Sequence, residues 1–115
     1  MVQIGTTVLT QVDVLTGTGT STAAAATVNT QTGVITTEAL VTAAGATYTF
    51  TLTNSLINAN SVLNVVVGKG TATTGGLAPI FVTPAAGSAV LVLQNVTLAA
   101  LNGTVKIFFS VFNMS

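Results

Sequence analysis

The chain has no cysteine, histidine, tryptophan or arginine, and only four of its 115 residues are charged: Asp13, Glu38, Lys69 and Lys106. Each absence closes a class of chemistry. Without cysteine there is no disulfide framework and no thiolate for metal or redox work. Without histidine a Ser–His–Asp arrangement cannot be built, and zinc loses its other common ligand. Two lysines cannot neutralise a run of phosphates, so no nucleic-acid partner is expected. A paired-carboxylate site would need Asp13 and Glu38, the only acids, to flank one cleft. The plainer expectation is that both are solvated or paired across a subunit contact. No apolar run reaches the roughly 18 residues of a spanning helix, and no membrane partner is expected. The sequence therefore assigns no catalytic, cofactor-binding or metal-binding residue, and the expectation is a protein that is not an enzyme and takes no cofactor.

What is present is unusual for a freely diffusing protein. Half the residues are hydrophobic but only 5% aromatic, so small aliphatics fill the interior; charged residues make up 3%, against about a quarter in a typical globular domain. Mean hydropathy is +0.83 and the formal net charge is zero. A chain of this length makes one domain with one core. Soluble monomers rely on dispersed charge and a net charge away from zero to stay apart. This surface has neither, and copies of itself or another protein are expected to cover it. The opening "MVQIGTTVLTQVDV" lacks the basic start and apolar core of a signal peptide. The expected route is synthesis in a cytoplasm, followed by assembly.

The dominant period is two. Residues 6–15 read as a strand with Val8, Val12 and Val14 on one face, and "TGTGTST" at 16–22 as a flexible loop or the hinge of an N-terminal arm. Strand–turn–strand follows over 24–37 with a hairpin-like turn, then an extended stretch at 39–43 and a turn at Ala44-Gly45. In "ATYTFTLTNS", Tyr48, Phe50 and Leu52 oppose Thr47, Thr49, Thr51 and Thr53. Further strands are expected at 61–68 (Leu63, Val65 and Val67 on one face), at 78–83 on an edge because of Pro79, and at 89–96, buried on both faces. Asn102-Gly103 signals a turn into 104–113, with Val105, Ile107, Phe109 and Val111 inward and Lys106, Phe108 and Ser110 outward. About eight short antiparallel strands argue for an all-β sandwich or jelly roll spanning 1–115, with 1–22 a candidate arm and tether. The expected core is Tyr48, Phe50, Leu52, Leu63, Val65, Val67, Leu91, Leu93, Ile107 and Phe109.

Two local patterns carry little. "VVVGKGTATTGG" lacks the glycine spacing of a phosphate loop and reads as a flexible surface loop. "NVT" at 95–97, "NGT" at 102–104 and "NMS" at 113–115 match a glycosylation acceptor, without an export signal to go with them. Threonine is more informative. It brings β propensity, a stiff χ1 and a neutral hydroxyl, so two threonine faces can meet without desolvating ions.

Residues 54–112, through "NSLINANSVLNVVV", "PIFVTPAAGSAVLVLQN" and "ALNGTVKIFFSV", resemble small β-sandwich structural proteins of tailed phages and other DNA viruses. The resemblance implies a virion component with no catalytic residues. It would be a capsid decoration or cement subunit that binds the major capsid protein as a homo-oligomer, with a trimer favoured by the three-fold sites of capsid lattices. The alternatives are a tail or fibre subunit, or a cell-surface filament or adhesin module. Residues 1–15 would then serve either as an attachment arm that adds to a neighbour's sheet edge or as the first strand of their own sandwich.

Overall fold

Successive side chains of a strand point to opposite faces. In the computed structural model, which describes residues 16–113, Tyr48, Phe50 and Leu52 are accordingly buried and the threonines between them lie on the outer side. Eight strands form among the described residues: β1 Thr16–Thr20, β2 Ala25–Thr27, β3 Thr32–Thr36, β4 Thr47–Thr53, β5 Val62–Lys69, β6 Leu77–Ala85, β7 Ser88–Asn95 and β8 Val105–Phe112. They make two four-stranded sheets, ordered β1-β3-β8-β5 and β2-β4-β7-β6, packed as a β-sandwich. The expected strand 6–15 lies outside the described residues.

One core fills the space between the sheets. From β4 and β7 come the paired rows Tyr48–Leu93, Phe50–Leu91 and Leu52–Ala89. Facing them, β3 and β8 supply Ile35 beside Ile107 and Gly33 beside Phe109, with Val105 and Val111 completing the row. Leu63, Val65 and Val67 point inward as expected but are only half-buried, because β5 is an edge strand with a neighbour on one side only. Val28, Ile35, Leu40, Ile57, Leu77 and Leu101 are buried as well, although the alternation of the long strands did not mark them.

Several expectations are corrected. "TGTGTST" is not a loop: Thr16–Thr20 is a strand, paired in parallel with Thr32–Thr36. Its glycines make room for a neighbour. A Cβ at Gly17 would lie 2.5 Å from Thr30 Oγ1 and one at Gly19 would lie 2.8 Å from Val28 Cγ2. The segment 24–37 holds two strands but no hairpin, since β2 joins one sheet and β3 the other. That alternation also breaks the all-antiparallel expectation. After two crossings the chain returns to its starting sheet in the same direction, so β1 pairs with β3, and β2 with β4, in parallel.

Residues 39–43 form no strand; Leu40 makes a lone bridge to Gly103. Strand β7 is buried on one face, not two, with Val90 exposed, because a sandwich covers only the inner side of each sheet. "TPAAGS" turns later than expected: β6 runs on to Ala85 and the loop is Ala86-Gly87, with Gly87 at φ 79°. Both prolines, Pro79 and Pro84, lie on β6, an edge strand, where a missing N–H costs least.

Candidate interaction surface

The described acid, Glu38, is consumed by the fold. Its carboxylate accepts hydrogen bonds from Ser21 Oγ, from the Ala24 N–H at 3.0 Å and from the Tyr48 hydroxyl, which lies 3.1 Å from both oxygens; the Glu38 N–H in turn donates to Ser21 Oγ at 3.1 Å. These bonds hold a tight turn in which Ala23 and Ala24 sit at φ 52° and 62°, a left-handed conformation that costs a non-glycine residue about 1–2 kcal/mol. Burial raises the Glu38 pKa, but the hydrogen bonds from Ser21, its own backbone, Tyr48 and Ala24 outweigh it and hold the carboxyl below its ordinary value. Glu38 is partly exposed, and its carboxylate is engaged within the subunit by three donors. Asp13 lies outside the described residues. No group of three or more His, Cys, Asp or Glu that could hold a metal occurs among the described residues.

The glycine-rich loop is pinned rather than flexible. Asn102 Oδ1 accepts from the N–H groups of Thr73 (2.7 Å) and Thr74 (3.0 Å), and Thr104 Oγ1 accepts from the Thr71 N–H at 2.9 Å. This explains why Asn102-Gly103 makes no hairpin turn: the Asn102 side chain serves the facing loop, and Gly103 packs against Thr71 and Ala72. The loop borders a cavity of about 340 Å³ lined by Val67, Gly68, Lys69, Ala72, Thr73 and Val105. Lys69 is its one ionisable group, so the cavity offers no acid–base pair. The asparagines of all three acceptor patterns are engaged. Asn95 is fully buried and donates to the carbonyls of Thr42 (3.0 Å) and Ala99 (2.8 Å), Asn102 holds the loop, and Asn113 binds Ser61 Oγ and the Leu56 carbonyl.

What remains for function is the pair of outer sheet faces. On the β2-β4-β7-β6 sheet, Thr49, Val92 and Phe81 make one cross-strand row and Thr51, Val90 and Thr83 the next. No charge interrupts them. On the β1-β3-β8-β5 sheet, Phe108 lies between Val34 and Val66, and Phe112 beside Val62. The expected outward placement of Phe108 and Lys106 holds. Val62 and Val66, which sequence reasoning missed, join the phenylalanines because the β5–β8 register brings them opposite. The signal for them was two runs, "VLNVVV" and "IFFSVF", in which both strand faces are apolar. Among the described residues Lys106 is the one charge on that outer face.

Compared with known proteins, the chain matches no family model, no curated relative and no solved structure.

Proposed function

We propose that this chain is a non-enzymatic structural subunit of a multi-copy assembly, with a virion as its setting. Its role there is that of a capsid decoration or cement protein, which binds the shell as a homo-oligomer, favoured as a trimer, and stabilises it. The observation that carries this reading is the chemistry of the two outer faces. They are mostly threonine, valine and phenylalanine with a few uncharged polar residues such as Asn64, Ser110 and Gln94, and among the described residues Lys106 is their single charge. A surface of that kind gains by being covered, since its contact removes apolar area from water and desolvates almost no ions. Solubility then belongs to the particle rather than the subunit. The phage-like pattern over residues 54–112 supports a virion as the setting, and the lack of histidine and cysteine supports a structural role over a catalytic one.

Mass spectrometry of purified particles from the source tests the reading. The expected result is this chain in many copies per particle. Recovery from cell envelopes alone, with none in particles, would overturn it.

A further inference from the structure

We propose that the outer face of the β1-β3-β8-β5 sheet is a self-docking surface, on which a second copy of this chain lays the same face about a two-fold axis. The inference rests on the assembly reading above and adds to it a two-fold contact, separate from the three-fold one a trimer needs, with its face and its occupant.

The patch is built by register. Val62 lies opposite Phe112 and Val66 opposite Phe108, and their exposures are 52%, 46%, 62% and 41% in that order. Four large apolar side chains that share one sheet face and stand half in water are the mark of a surface meant for contact. The patch is also flat. A Cβ at Gly68 would come within 2.5 Å of the Phe108 ring, so the ring lies over the glycine along the sheet instead of standing up from it. Flat sheet faces stack readily, about 10 Å apart.

The occupant follows from charge and from the other face. In a two-fold contact every residue class must tolerate its own kind. Here the one charge, Lys106, sits towards one end of β8, and a two-fold axis near Ser110 carries the two lysines to opposite ends, each away from the other. The second sheet's outer face also exposes Phe81 and Val90, but their cross-strand rows carry Thr49, Thr51 and Thr83, so it offers a less apolar complement. Four strands about 4.8 Å apart and five to eight residues long at about 3.3 Å per residue give a face of roughly 400–500 Å². Two copies would bury roughly 800–1,000 Å², the size of a weak or transient interface rather than a stable one. The pair is therefore a weak contact, strengthened where other contacts hold the copies together.

The test uses the full chain in sedimentation and light scattering across micromolar concentrations. Val66→Lys and Phe108→Lys should each weaken self-association by about tenfold or more, since each would bury an unpaired ammonium; Val66 is the more exposed and guards against misfolding. Thr49→Lys on the opposite sheet should leave this contact intact. With no native cysteine, Ser110→Cys should give a covalent pair with a short bis-maleimide, and Thr49→Cys should not. An oligomer unmoved by Val66→Lys overturns this face while leaving the assembly reading in place. A wild-type chain that stays monomeric overturns both. If maleimide cannot reach the new thiol of the Ser110→Cys variant in its monomeric form, the docking surface is overturned, because residues 1–15 or another segment already cover it.

Discussion

The hydroxyl of Tyr48 lies 3.1 Å from each carboxylate oxygen of Glu38. This contact joins the buried start of β4 to the turn at Ala23-Ala24 that passes the chain from one sheet to the other. Tyr48 is the only tyrosine, and the chain has no tryptophan, so the near-ultraviolet absorbance of tyrosinate reports this one side chain. Burial, with the neighbouring Glu38 charge and hydrogen bond adding to it and Ser21 opposing, raises the Tyr48 pKa to about 12. A proton held more tightly in the folded than in the unfolded chain stabilises the fold while it stays on. The contribution is whole below 10.0, the ordinary value, and is lost as pH rises towards about 12. The absorbance titration should therefore show a midpoint near 12 in the folded protein and near 10 in urea. Tyr48→Phe should remove the alkaline loss of stability and cost about 0.5–1.5 kcal/mol at neutral pH. A folded-state midpoint at 10 would contradict the contact.

At the acid end the sign is reversed. The folded pKa of Glu38 lies below its ordinary 4.5, so its contribution is present above that pH and is lost as pH falls through the folded value. Urea midpoints should stay level down to about pH 5 and drop below 4.5. Glu38→Gln should flatten that drop. It should also cost about 1–3 kcal/mol at pH 7, since the amide no longer accepts at both ends from Ser21, Tyr48 and the Ala24 N–H. Equal acid sensitivity in the variant would show that another group governs it.

Two core substitutions separate lost packing from excess packing. Phe50 is completely buried, and Phe50→Ala should cost about 3–5 kcal/mol in chemical denaturation. At Gly33 the opposite fault arises. It is the register partner of Phe109, and an added Cβ would sit 2.5 Å from the ring. Gly33→Ala should cost about 1–3 kcal/mol, and shrinking the ring with Phe109→Leu should recover part of that loss. If Gly33→Ala proves neutral, the ring does not close over the glycine.

The parts of this fold that were legible in the sequence are those where one strand face is buried and the other is not. In β4 and β8 a slip of one residue would turn every phenylalanine and leucine of the buried face outward, so the alternation itself fixes which side is in. The segment 16–20 was illegible because glycine and threonine in alternation look like a loop to any local rule. Its reason lies elsewhere, in Val28 and Thr30 seated over Gly17 and Gly19. Asn102-Gly103 misled for a similar cause: the strongest local turn signal gave way to a side chain recruited by Thr73 and Thr74. The candidate surface was half legible. Phe108 was placed outward by its own strand, but Val62 and Val66 meet the phenylalanines only through a pairing between β5 and β8, distant in sequence, and no local pattern encodes that register.

The same shortage of charge predicts how the assembly responds to salt. Surface ion pairs weaken as the screening length falls from about 10 Å at 0.1 M salt to about 3 Å at 1 M. Among the described residues the charged side chains are Glu38, Lys69 and Lys106, and Glu38 is spent within the subunit. The proposed contact between copies would then rest on apolar burial and hydroxyl hydrogen bonds, which screening leaves untouched. At low micromolar concentration, light scattering should report trimers or larger species whose mass is the same in 0.1 M and 1 M sodium chloride. Sulfate should increase the mass, because salts excluded from protein surfaces favour burial of apolar area. Dissociation in moderate sodium chloride would mean that ion pairs hold the copies together. The only groups left to form them would be Lys69, Lys106 and Asp13, and the uncharged faces would then not be the contact.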